Sequence, residues 1–72
     1  TRSKRWHLET EQARLELSYA TLTERISAVN IDIGRELDSE RKLMLEKRLQ
    51  ASIDERQKVI EQLEAIEKQL GR

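Results

Sequence analysis

The sequence has no cysteine, no proline and no phenylalanine, and Trp6 and Tyr19 are its only aromatic residues besides His7. Without cysteine there can be no disulfide framework, no thiolate metal site and no thiol redox chemistry. No apolar run approaches the ~20 residues that span a bilayer. An excess of one charge is missing too, because 14 Lys+Arg balance 14 Asp+Glu. Nucleic-acid binders draw much of their affinity from a basic surplus, so that class of partner is unexpected. The chain opens Thr-Arg-Ser-Lys-Arg with no initiator Met and no hydrophobic signal region. This reads as a segment from the interior of a longer chain, with the cytoplasm as the default compartment.

What is present is helix-forming and highly charged. Of 72 residues, 36% are hydrophobic and 39% charged. So short a chain needs a dense core or covalent staples to form a globule, and it has neither. Its Ala, Glu, Lys, Leu, Arg and Gln point instead to long helices in a single domain over residues 1–72.

The first half carries Leu8, Leu15, Tyr19, Leu22, Ile26, Val29 and Ile33, whose spacings alternate three and four after an opening gap of seven. That is the a/d pattern of a coiled-coil seam. A single continuous helix would carry this seam on to Glu36, Glu40, Leu43, Lys47, Gln50 and Asp54, where five of six residues are polar. The second half has its own stripe, in which Leu49, Ile53, Ile60, Leu63 and Leu70 take a and d positions. Leu45, Val59 and Ile66 fall beside them at g. The phase therefore breaks between Ile33 and Leu45. Gly34 suits the last turn or the exit of a helix, and Asp38 and Ser39 suit a helix start. The spacing predicts helices over about 4–35 and 39–70, joined by a turn over 36–38.

Two long helices on a short turn run antiparallel. The two stripes then predict Leu15 opposite Ile60, Leu22 opposite Ile53, Ile26 opposite Leu49, and Tyr19 opposite Arg56. That last layer would hold register as a polar seam residue does, by stacking or donation between guanidinium and phenol. Charge agrees with the orientation. Arg2, Lys4 and Arg5 would lie beside the acidic second arm, which carries Asp54, Glu55, Glu61, Glu64 and Glu67. Asp54–Lys58 and Glu64–Lys68 have the favourable acidic-first order within one helix. In a simple pair, Leu45, Val59 and Ile66 would be left at the edge. A second hairpin would cover them, making a four-helix bundle.

Catalytic chemistry finds little to use. His7 with Glu11 offers two ligands where zinc takes four, and Glu64 with Glu67 lacks an accompanying histidine. There is no phosphate-binding glycine loop and no nucleophile elbow. The expectation is no enzyme activity, no cofactor, no metal and no small-molecule substrate. Arg41, Lys42, Lys47 and Arg48 read as a solvated face, without the interleaved aromatics of a nucleic-acid site. Trp6 lies outside the seam, either as an outward interface anchor or packed near Leu70.

Three runs carry a family resemblance. Leu-Ser-Tyr-Ala-Thr-Leu-Thr-Glu-Arg-Ile over 17–26 is followed by Leu-Asp-Ser-Glu-Arg-Lys over 37–42 and the following Leu-Glu-Lys. Asp-Glu-Arg over 54–56 then precedes a Leu/Ile stripe. Over about residues 15–70 the chain resembles the helical-hairpin, effector-associated adaptor segments of bacterial, often cyanobacterial, multidomain proteins. In those proteins such segments accompany signalling NTPase, protease, TIR or repeat modules. The resemblance implies an adaptor that recruits or oligomerises an effector, with no catalytic residue to carry over.

The reading that unites these observations is a non-catalytic interaction hairpin with a protein partner or a second copy of itself. Its seam would comprise Leu8 to Ile33 on the first arm, and Leu45, Leu49, Ile53, Arg56, Val59, Ile60, Leu63, Ile66 and Leu70 on the second. A passive spacer between domains is the alternative. Weak nucleic-acid binding through Arg41–Arg48 is the remoter one, and no membrane role is expected.

Overall fold

The computed structural model describes residues 3–71. Two helices of equal length, α1 (Lys4–Arg35) and α2 (Ser39–Leu70), pack against each other as an antiparallel hairpin. The rod measures 56 × 18 × 15 Å. Among the described residues there is no strand.

Each boundary has a local cause. Ser3 caps α1: its backbone is extended, and its hydroxyl accepts the Trp6 N–H at 3.2 Å. Asp38 caps α2 more fully, one carboxylate oxygen accepting the N–H groups of Glu40 at 2.8 Å and Arg41 at 3.1 Å. Those donors have no partner within the helix, so the cap satisfies what the first turn cannot. The turn over 36–38 is held from both sides. The Glu36 N–H donates to the Ile33 carbonyl at 3.3 Å, and the Glu36 carboxylate accepts the Asp38 N–H at 3.0 Å. Gly71 ends α2 at φ 78, a left-handed conformation in which its N–H reaches the carbonyls of Glu67 and Lys68. Gly34, expected in the last turn or at the exit of the first arm, lies in the last turn of α1 and has no positive φ. The helix runs through it because the stop is made by Glu36, whose extended backbone turns the chain.

The core is a single seam between the arms. From α1 it buries Leu15, Leu22 and Ile26; from α2, Ser52, Val59, Ile66 and Leu70. Leu8 and Leu63 pack against this cluster. Each fully covered aliphatic side chain contributes roughly 1.5–3 kcal/mol, so a handful of them holds the hairpin closed. No buried side-chain nitrogen or oxygen among the described residues is left without a partner.

The seam of α2 keeps Leu49, Leu63 and Leu70 from the expected one, but its other line falls one position earlier. The buried Ser52, Val59, Ile66 and Leu70 interleave with the half-buried Leu45, Leu49, Arg56 and Leu63, at spacings of four and three. Val59 and Ile66, assigned to the edge from the sequence, are buried. Ile53 and Ile60, assigned to the centre, are only half-buried. Successive residues lie about 100° apart, so a rotation of about half that trades Ile53 for Ser52 while Leu49 stays in the seam. Tyr19 is also further out than its seam assignment, at 38% exposed, because the phenol lies along the edge of the interface.

Candidate interaction surface

Arg56 joins the arms. Its guanidinium carbon lies 5.7 Å from the centre of the Tyr19 ring, and one terminal nitrogen donates to the Thr23 hydroxyl at 3.3 Å. Further along, Arg25 and Glu55 form a cross-arm ion pair at 3.8 Å. Both partners of that pair are more than half exposed, so it orients the arms more than it holds them.

The expected electrostatic match at the open end takes another form. Arg5 pairs with Glu9 on its own helix at 3.3 Å, and Arg2 lies outside the described residues. Asp54 accepts a hydrogen bond from Gln50 at 2.9 Å. Glu11, considered beside His7 as a metal edge, is held by a two-pronged contact from Arg14. That hydrogen bonding is the main cause of a Glu11 carboxyl below its ordinary value; desolvation opposes it, and the Arg14 charge adds a lesser contribution. The same contact raises Arg14. His7 is exposed and meets the Trp6 ring edge-to-face at 5.1 Å. Among the described residues no group of three or more His, Cys, Asp or Glu could hold a metal ion.

Outside the seam, apolar side chains collect in three places. An open groove of about 370 Å³ on one side is lined by Tyr19, Ile60 and Leu63, with Glu64 and Glu67 at its rim. The hairpin tip presents Leu37 at 98% exposed, with Leu43 and Met44 more than half exposed behind it. Arg41 and Arg48 flank Met44 at that tip, and the whole Arg41, Lys42, Lys47, Arg48 cluster is exposed. Third is the back of α1, turned away from α2. There Trp6, Ala13, Leu17, Ala20 and Ile31 are exposed along one line, with Thr10, Glu24 and Ser27 completing it.

Trp6, which the sequence leaves between an outward anchor and a place near Leu70, is 41% exposed. Leu17, Ile31, Leu37 and Met44 were not foreseen. The signal for Leu17 and Ile31 was available: positions 6, 10, 13, 17, 20, 24, 27 and 31 also alternate four and three. Small residues at half of these positions hide the pattern from a reading that looks for large aliphatics.

The fold and this surface define an antiparallel helical hairpin with an apolar exterior at three places. The chain matches no protein-family model, no curated protein and no solved structure.

Proposed function

We propose that this hairpin is a non-catalytic protein–protein interaction module that associates with a second copy of itself. The observation that supports it is the apolar surface that the two arms leave uncovered. Leu17, Ile31, Leu37, Leu43 and Met44 are each more than half exposed in a chain whose core contains only six buried apolar residues. Isolated exposed leucines are ordinary, but a surface this apolar beside so small a core marks an association site. Two hairpins make four helices, the smallest assembly that covers such a surface symmetrically. The resemblance to adaptor segments extends this to a role in a multidomain bacterial protein, clustering an effector in the cytoplasm by bringing copies together. The lack of a catalytic constellation in the sequence supports a module without enzymatic activity.

The spacer alternative fits the geometry less well. A hairpin returns both arms to one end, so domains attached to the arms would sit side by side rather than far apart. Sedimentation equilibrium separates the readings. An interacting hairpin shows a weight-average mass that rises from monomer toward dimer with concentration. A spacer stays monomeric throughout.

A further inference from the structure

We infer that the back of α1 is a self-complementary seam that takes α1 of a second copy, antiparallel across a two-fold axis. This rests on the self-association reading above and specifies the face. The two arms are unlike on their outer sides. Along the back of α1 only Glu24 is charged among eight seam-spaced positions. The equivalent line on α2, from Leu43 through Asp54 to Lys68, has five charged residues in eight, and all eight are exposed. With 39% of the chain charged, about three in eight is expected, so the back of α1 is depleted where the back of α2 is enriched. Depletion of charge with an aromatic at one end is the composition of an interface core. Alternation of four and three is the spacing that keeps such a line facing a partner helix over several turns. Thus α1 has a seam on each side, while α2 has one.

The occupant follows from the symmetry of the line. Rotated about an axis between Ser18 and Tyr19, it maps onto itself. Trp6 then meets the partner's Ile31, Thr10 the partner's Ser27, Ala13 the partner's Glu24, and Leu17 the partner's Ala20. At the centre, each Leu17 finds a small residue opposite and can insert as a knob. Alanines there allow the axes to approach to about 8 Å. The large pair, Trp6 and Ile31, closes both ends.

Charge selects this register. Glu9 and Glu16 flank the line on one side and face the partner's Asn30 and Thr23. Arg14 flanks it on the other and faces the partner's Thr21, within reach of the partner's Glu24. Sliding by one heptad in one direction sets Glu16 against the partner's Glu16 and Arg14 against the partner's Arg14. Sliding in the other direction carries Trp6 past the end of α1, to the partner's Asp38 in the turn. From Trp6 to Ile31 the contact is roughly 38 Å long at ~1.5 Å per residue. A strip about 10 Å wide on each helix buries roughly 760 Å² in total, below the ~1,000 Å² of a stable specific interface. The dimer is therefore weak and concentration-dependent, a flat layer of four helices with the α1 arms inside.

The test uses the whole chain. Two variants, Leu17→Cys and Ala20→Cys, are mixed and oxidised mildly. The expected result is a mixed 17–20 disulfide in at least tenfold excess over either homodimer, since this layer brings the two positions within disulfide range. A mixed product no more than about twofold over each homodimer, the yield of random pairing, overturns the register. Sedimentation equilibrium is then run on Leu17→Glu and Ile60→Lys, with helicity checked by circular dichroism. Leu17→Glu, exposed in the hairpin, should weaken dimerisation at least tenfold with helicity unchanged. If it keeps the wild-type dissociation constant, the face is wrong whatever Ile60→Lys does, and self-association still stands. Loss of the dimer in Ile60→Lys alone would move the interface to the Tyr19 groove. A wild-type chain that is monomeric at every concentration removes both proposals.

Discussion

Arg56 of α2 reaches across the hairpin to lie over the ring of Tyr19, 5.7 Å from its centre. It is the one charged residue on the α2 seam, and its head is satisfied by the phenol face and by the Thr23 hydroxyl. A cation over an aromatic ring at a partly exposed site contributes about 0.5–1 kcal/mol. A double-mutant cycle with Tyr19→Leu and Arg56→Met, read by urea denaturation, should give a coupling energy of that size. Additive single effects would mean that Arg56 acts through its hydrocarbon stem alone.

Leu15 and Leu17 are two residues apart and on opposite sides of α1. Leu15 is 2% exposed and Leu17 70%. Leu15→Ala should lower stability by about 2–4 kcal/mol, the cost of emptying a buried leucine site. Leu17→Ala, measured in dilute solution, should change it by less than about 0.5 kcal/mol. Comparable losses at both positions would contradict the arrangement of the seam.

The helix bounds were legible to the residue because the signals that end helices are local. Asp38 looks like a cap and acts as one, and Ser39, which also suits a helix start, becomes the first residue of α2. The fine phase of the second seam was not legible. Val59, Ile60, Ile66 and the flanking Ile53 form an apolar band three positions wide, and within such a band the sequence of one helix does not say which edge faces the partner. Ser52 looks like a surface residue and Ile53 like a core residue, yet α1 packs over Ser52. The choice is made by the pair. The back of α1 was missed for a different reason: Ala13, Ala20, Thr10 and Ser27 add little hydropathy, so the line shows only as a lack of charge.

Asp38 accepts two backbone N–H groups that have no other intrahelical partner. Asp38→Ala should cost about 1 kcal/mol, and Asp38→Asn, which keeps an acceptor oxygen, much less. Thermal melting followed at 222 nm compares the three proteins. Equal melting of Asp38→Ala and wild type would remove the cap from the account of the turn.

The Arg14 contact lowers the Glu11 carboxyl, so its ionised form is favoured in the folded chain. By linkage, a depressed carboxylate contributes stability above its unfolded pKa and loses it as pH falls through the lower, folded one. A titration followed by carboxyl NMR should therefore show the Glu11 midpoint rise when Arg14 is replaced by Gln. An unchanged midpoint would show that the pair does not persist in solution.

Self-association is tested most directly by melting the intact chain at protein concentrations about a hundredfold apart. Assembly of folded hairpins couples stability to concentration, since the partner binds the native state and not the unfolded one. The melting temperature of a self-associating hairpin climbs by several degrees from the dilute to the concentrated sample. Superimposable curves at both concentrations would contradict self-association and leave a hairpin that folds alone.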